Sequence, residues 1–419
     1  NWDVRIISGY PMPSAVALAS TSSFWPVQAY GAKTHEPVNF MRYRNGIAIT
    51  RTGRDTYRVT GGECRAGAVG DIAVWSCVDQ TRMARAGAVN VWSSSGCRIE
   101  DVCVFSVAND GCGFAEALAT SNAYVRCRLL RRDSRTDLFP RGLRRLRSGN
   151  HDAFNSRRSF VGPQLDGCVF QYHCDDCVNI SGYYTFVLGR SGKSYRVATY
   201  AQERLRTGDL CQVLLPDGES PGDACATRVA ESAPLTDEER SLFAGLGLWP
   251  GCEKNFRAAQ EVVLETFVDL PPGTLLGPRR RMGGGYRIQN CTMGHNRARG
   301  LLVQASDGLI ARNVLEGIEG WAILLAPECA WLEAGVGSRV RIMDNVCRGN
   351  GEGFYIGGRS LSGKPFGASA RSDIEICGNR IEGANVAVTG CARLRLAGNS
   401  ILPRENQEPF RLVNVTEVS

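Results

Sequence analysis

Two stretches of the chain hold residues that could do acid–base chemistry. In His173-Cys-Asp-Asp-Cys-Val-Asn-Ile-Ser-Gly182, Asp175 and Asp176 stand side by side among small and apolar neighbours. The earlier stretch Ser148-Gly-Asn-His-Asp-Ala-Phe-Asn-Ser156 holds Asp152, which lies 23 residues before Asp175 and 24 before Asp176. In a parallel β-helix one rung takes roughly 20–30 residues. Positions one rung apart then sit on neighbouring strands about 4.8 Å from each other. The three carboxylates would share one patch. Like charges that close raise each other's pKa, so one can stay protonated while another is ionised. Hydrolysis of a glycosidic bond needs that pair of states, an acid for the leaving oxygen and a base for water.

Positioning these residues requires stacked short strands, and the chain supplies them. From about residue 89 short alternating runs end in Gly, Asn or Ser turns: Val89-Asn-Val-Trp, Cys97-Arg-Ile-Glu-Asp-Val-Cys-Val-Phe-Ser-Val, Ala123-Tyr-Val-Arg-Cys-Arg-Leu-Leu and Leu165-Asp-Gly-Cys-Val-Phe. Toward the C-terminus an Asn recurs at the head of a short strand, at Asn290, Asn313, Asn345, Asn379 and Asn399, with intervals of 23, 32, 34 and 20 residues. A flat sandwich explains the alternation but not this Asn, which fits a turn between stacked rungs. The expected fold is all-β, a right-handed parallel β-helix with inserted β-barrel-like modules. The expected organisation is a β-rich N-terminal region at 1–88 with a small barrel-like module, β-helix at 89–182, an inserted β-rich module at 183–283 with a short helix near 236–245, β-helix again at 284–404, and a polar tail at 405–419.

Composition bounds the rest. The chain has 419 residues, 43% of them hydrophobic, with 48 Gly, enough for a large core with many turns. It contains no run of 18 apolar residues, so no membrane span is expected. Net charge is +7, mild for this length. The Arg groups at Arg131, Arg132, Arg144, Arg145 and Arg147 and at Arg279–Arg281 lack the interleaved aromatics of a nucleic-acid surface, and no nucleic-acid partner is expected. The 17 cysteines are odd in number, so at least one is free. Many, including Cys97, Cys103, Cys127, Cys168, Cys291, Cys347 and Cys377, fall inside strand-like runs where stacked thiols pack well. Cys174-Asp-Asp-Cys177 has no second pair to complete a zinc site, and neither metal nor cofactor is expected.

Counting along the rungs adds neighbours to the carboxylates. Asp175 comes seven residues after Cys168. The same count from Cys291 reaches Arg297-Ala-Arg299, from Val314 it reaches Trp321, and from Val346 it reaches Gly353, with Phe354 and Tyr355 beside it. Carboxylates, guanidiniums and aromatics in series suit a sugar, whose hydroxyls bond to charged groups and whose ring faces lie on Trp or Tyr. Asn179, Glu333, His151 and His295 are further candidates for contact with substrate. A polysaccharide lyase or epimerase would instead need a Lys, Arg or Tyr base. A glycan-binding adhesin would need no clustered acids.

The blocks Asn150-His-Asp-Ala-Phe-Asn-Ser, Val161-Gly-Pro, His173-Cys-Asp-Asp-Cys-Val-Asn-Ile-Ser-Gly, Asn296-Arg-Ala-Arg-Gly-Leu-Leu and Ala330-Trp-Leu-Glu-Ala-Gly occur in order. In these blocks the chain resembles glycoside hydrolase family 110, bacterial exo-acting α-1,3-galactosidases, over roughly residues 89–400. The resemblance implies a β-helix with inserted barrels and an inverting hydrolase that removes terminal α-galactose without a catalytic metal. It implies Asp152, Asp175 and Asp176 as the catalytic group. A looser analogy to polygalacturonases makes Asp175 the acid and has Asp152 and Asp176 hold the water. The expected partner is an oligosaccharide or polysaccharide ending in α-galactose, and the expected location is secreted or periplasmic. A long β-helix with open faces can also form a homodimer, though nothing in the sequence specifies an interface.

Overall fold

The computed structural model describes residues 2–6, 27–42, 48–60, 63–64, 68–74, 87–107, 111–132, 145–200, 203–243, 246, 248, 252–265 and 269–419. Parts of the expected β-rich N-terminal region at 1–88, and Arg144, lie outside these residues.

The core of the chain is a parallel β-helix built from three stacks of short strands. One stack runs through Phe114–Ala117, Phe154–Arg157, Val178–Tyr183, Leu301–Val303, Trp321–Leu325, Glu352–Ile356 and Val386–Ala397. A second runs through Arg98–Glu100, Ala123–Val125, Gln164–Asp166, Arg287–Gln289, Gly308–Ala311, Val340–Met343 and Ile374–Cys377. The third is an eight-stranded parallel sheet from Cys103–Val104 to Ser400–Leu402. Alternation along each strand sends one side inward. Phe114, Phe154, Val178, Leu301, Ile323, Phe354 and Val386 share one register column and are fully buried.

One column of the third sheet shows how the rungs are clamped. Cys127, Cys168 and Cys291 precede paired strand residues, and in the next rungs the same place is taken by Asn313, Asn345, Asn379 and Asn399. Each Asn accepts from the main-chain N–H one rung below: Cys291 to Asn313, Asn313 to Asn345, Asn345 to Asn379 and Asn379 to Asn399, all at 3.0 Å. Each carboxamide also donates back to a carbonyl of the rung below, such as Asn345 to Ile310 at 3.0 Å. Buried amides satisfied in this way avoid a penalty of about 1–3 kcal/mol per unmade bond. The first Asn of the sequence repeat is corrected by one position. Cys291, not Asn290, occupies the column, and Asn290 instead bonds to Asp166 on the outside. Of the thiols expected to stack, Cys127, Cys168 and Cys291 share this column, whereas Cys103 is exposed and Cys347 pairs with Leu315 and Cys377 with Met343. Fifteen cysteines among the described residues are free.

Between Thr185 and Pro278 the chain leaves the helix to form a closed six-stranded antiparallel barrel. Its α-helix Asp237–Leu242 is started by a Thr236/Glu239 capping box, which satisfies N-terminal N–H groups reciprocally. The barrel is tied to the point where the chain returns to the β-helix: buried Arg281 pairs with Glu203 and with Asp209 at 2.9 Å. The N-terminal strands form two small antiparallel sheets among the described residues. The expected polar tail is corrected as well. Phe410–Val418 is a strand that pairs in parallel with Val386–Ala397 and extends the stack, with Phe410 and Val415 packed against the core.

Candidate active site

The register brings the predicted residues together on the outer face of the first stack. Two positions before the buried Phe154, Val178, Leu301 and Ile323 come Asp152, Asp176, Arg299 and Trp321. Backbone bonds join the same residues: Ala153 N–H donates to Asp176 O, Cys177 N–H to Arg299 O and Gly300 N–H to Trp321 O, at 2.9–3.0 Å. Cys177 and Val178 are consecutive and both face the core. The strand therefore bends just after Asp176, which lets Asp175 and Asp176 join one cluster despite the two-residue alternation of a flat strand. One carboxylate oxygen from each of Asp152, Asp175 and Asp176 lies within 4.8 Å of the other two.

Each carboxylate has its own surroundings. Asp152 is buried, accepts from Asn155 Nδ2 at 2.6 Å and from the Asp176 main-chain N–H at 3.2 Å, and lies 3.4 Å from His151 Nδ1. Burial works to raise its pKa, but His151, Asn155 and Arg157 outweigh it and hold the group below the usual carboxylate range. Asp176 is also buried, with both oxygens engaged by Arg299: the main-chain N–H at 2.9 Å, Nε at 2.8 Å and Nη2 at 2.9 Å. Burial pushes Asp176 up against the pull of Arg299, and Asp175 and Asp152 push the same way. Asp175 is the most accessible of the three, and Arg297 Nη2 contacts one of its oxygens at 3.1 Å. Of the carboxyls with shifted acidity, Asp152 is thus held toward its charged form and Asp176 is pushed toward its protonated form.

A closed circuit of polar side chains surrounds the adjoining floor. Asn155 accepts from Arg157 Nε at 2.9 Å, and Arg157 Nη2 meets Glu333 at 3.4 Å. Glu333 accepts from Gln304 at 2.9 Å, and Gln304 accepts from the Glu328 main-chain N–H at 3.1 Å. Glu328 lies 3.9 Å from Arg299, which returns the circuit to Asp176 and Asp152. Glu333 arrives because the short strand Glu333–Ala334 pairs antiparallel with the end of Val178–Tyr183, closing that side of the recess. By register Asn179 and Ser181 sit inside the circuit, beside Asn155 and Arg157. Asn179 Oδ1 and Ser181 Oγ are buried with no partner among the described residues. Past Arg299 the floor turns apolar with Leu302, Leu324 and Ala326, and Trp321 and Tyr355 pack at its side, their rings 5.2 Å apart.

The structure thus brings Asp152, Asp175, Asp176, His151, Arg297 and Arg299 into contact, joins Glu333 to them through Arg157 and Asn155, sets Asn179 beside Asn155, and places Trp321, with Tyr355 packed on it, one rung on from Arg299. His295 has other partners. It stacks on Tyr172 at 4.7 Å and pairs with Glu36 of the N-terminal region at 3.0 Å. Sequence reasoning missed Asn155, Arg157, Gln304, Glu328 and Glu319. Asn155 stands 24 residues before Asn179, the interval that separates Asp152 from Asp176, and that count could have found it. The same count finds Gln304, which stands as far after Ser181 as Arg299 after Asp176 and continues the register of Val303 with Ile180, whereas Glu328 lies outside the stacked strands and gives no such signal.

Glu319 follows Arg297 one rung on, its main-chain N–H bonded to Asn296 O at 3.1 Å. Its Oε2 is buried without a partner among the described residues, and burial pushes its pKa up from 4.5 to about 7. A carboxyl raised in the folded state is harmless while protonated. Its cost appears as pH rises from the unfolded value and is complete above the folded one. Glu319→Gln is therefore expected to stabilise the protein above pH 7 by about 1–3 kcal/mol, with the gain gone below about pH 4.5. Urea midpoints measured at both ends of this range check it. A gain that is independent of pH would contradict the assignment.

No helix among the described residues is long and apolar enough to cross a membrane. The chain matches no family model and no curated protein. Among solved structures it is similar to the A-module of the Azotobacter vinelandii mannuronan C-5 epimerase AlgE4, at 10% identity and a TM-score of 0.32 over 77% of this chain and 60% of that one. It is similar to the tailspike protein gp49 of Pseudomonas phage LKA1, at 9% identity and a TM-score of 0.31 over 94% and 57% of the two chains. A further similarity is to the catalytic domain of a GH87 α-1,3-glucanase, at 9% identity and a TM-score of 0.19 over 94% and 83%. This chain therefore spans less than two thirds of the epimerase module and of the tailspike, and its function has to be argued from its own recess.

Proposed function

We propose that this chain is a carbohydrate-active hydrolase and, in the finer reading, an inverting exo-α-1,3-galactosidase that removes terminal galactose. The observation that carries the reading is the cluster of Asp152, Asp175 and Asp176 at the edge of a recess ringed by polar side chains. Asp175 donates the proton to the leaving oxygen: it is the most accessible of the three, and one guanidinium contact holds it. Asp152 and Asp176 hold the attacking water between them, each fixed by its own hydrogen bonds. The exo-acting mode, galactose and the α-1,3 linkage come from the resemblance of the sequence blocks to family 110.

Lyase or epimerase chemistry fits less well at the Asp cluster, because the candidate bases Arg297 and Arg299 are paired with carboxylates that keep them protonated. A second hydrolytic reading has one observation in its favour. The carboxylate oxygens approach more closely than the roughly 6.5–9.5 Å of inverting pairs, and a spacing nearer 5 Å accompanies retention. Proton NMR on the sugar first released from a terminal α-1,3-galactosyl disaccharide tests both. β-Galactose first supports inversion. α-Galactose first replaces it with a covalent mechanism. No galactose from α-1,3, α-1,4 or α-1,6 substrates removes the galactosidase reading.

A further inference from the structure

We infer that Cys112, His151 and Asp152 form a three-donor site for a zinc-like divalent metal, and that filling it switches the enzyme off by taking Asp152 out of the catalytic cluster. The site lies one rung before the catalytic carboxylates. Gly113 N–H donates to Asp152 O at 3.1 Å, and Phe114 pairs in register with Phe154, so Cys112 stands beside Asp152 on the neighbouring strand.

The spacing of the donor atoms fits a tetrahedral ion. Cys112 Sγ lies 3.5 Å from His151 Nδ1, His151 Nδ1 lies 3.4 Å from Asp152 Oδ2, and the three donors are all within 4.8 Å of one another. A tetrahedral zinc with bonds of about 2.3 Å to S, 2.0–2.1 Å to N and 2.0–2.2 Å to O puts S and N about 3.5 Å apart, and N and O about 3.4 Å apart. The S, N, O donor set suits zinc, cadmium or cobalt better than magnesium or calcium, which prefer oxygen alone. Three protein donors leave a fourth position for water. Binding releases the thiol proton, and the Nδ1 lone pair now used by the Asp152 main-chain N–H at 2.8 Å passes to the metal. The ion then neutralises the carboxylate that the hydrolysis needs ionised. Only the inhibition rests on the proposed hydrolase function. The metal site stands on the donor geometry alone.

The test titrates the full chain with cobalt(II) and reads thiolate-to-cobalt charge-transfer absorption, then titrates zinc(II) against hydrolysis of an aryl α-galactoside. The expected result is a charge-transfer band that saturates at one equivalent, and at least tenfold loss of turnover at micromolar zinc, reversed by EDTA. Cys112→Ser should lose the band and raise the half-inhibiting zinc concentration at least tenfold, with metal-free turnover within twofold of the parent. Cys112→Ala serves if the Ser variant does not fold, and His151→Gln gives an independent loss of the band. A parent chain without the band, or Cys112 variants with an unchanged band and unchanged inhibition, overturns the site. If no galactoside is hydrolysed, the hydrolase reading fails while the cobalt titration still decides the metal site.

Discussion

Asp176→Asn is expected to lower turnover of terminal α-galactosides by about 10²–10⁴-fold while KM stays within a few fold. The carboxamide keeps the shape but cannot act as a base, and its NH2 group would face the Arg299 donors that now meet both oxygens. Asp175→Asn should give a similar loss on a disaccharide, with a different signature. If Asp175 is the acid, its loss matters when the leaving oxygen needs a proton and matters little when it does not. A dinitrophenyl galactoside should then recover most of the rate in Asp175→Asn and almost none in Asp176→Asn or Asp152→Asn. The reverse pattern would move the acid role to Asp176, whose burial already pushes it toward the protonated form. Unfolding midpoints are needed alongside, since removing the Asp176 charge leaves Glu328, 3.9 Å away, as the nearest anion shown to face Arg299.

Sequence spacing made the carboxylate cluster legible because a β-helix converts an interval into a contact. An interval of 24 residues became the register Asp152 beside Asp176, and counting on reached Arg299 and Trp321. Counting failed where a position changes identity. The column that begins with Cys127, Cys168 and Cys291 continues with Asn313, so a search for Asn alone started one residue early, at Asn290. It failed again where the contact crosses the stack. Glu333 and Glu328 join the polar circuit through an antiparallel pairing and hydrogen bonds to Gln304 that no repeat encodes. His295 shows the opposite error. It lies next to Asn296 in sequence, and Asn296 donates to Asp175 O at 2.6 Å, yet its own ring goes to Tyr172 and Glu36. Closeness in sequence at a corner does not choose the face.

Arg299 should separate what holds the cluster together from what makes it reactive. Arg299→Met leaves the buried Asp176 without its counterion and with Asp152 and Asp175 still within 4.8 Å, and breaking a buried pair in this way costs about 3–5 kcal/mol. Turnover should fall with stability. Arg299→Lys restores one positive charge but not the planar guanidinium that donates from Nη2 to one Asp176 oxygen at 2.9 Å while its Nε lies 2.8 Å from the other. The Lys variant should therefore recover most of the lost stability while turnover stays about 10–100-fold low, because Asp176 keeps a charge partner and loses its orientation. Urea midpoints and steady-state kcat on the two variants decide this. A Lys variant with parental kcat would mean that Arg299 supplies charge alone, and the water-holding geometry given to Asp176 would have to come from the Arg299 main-chain N–H, 2.9 Å from Oδ1, and from Asp152.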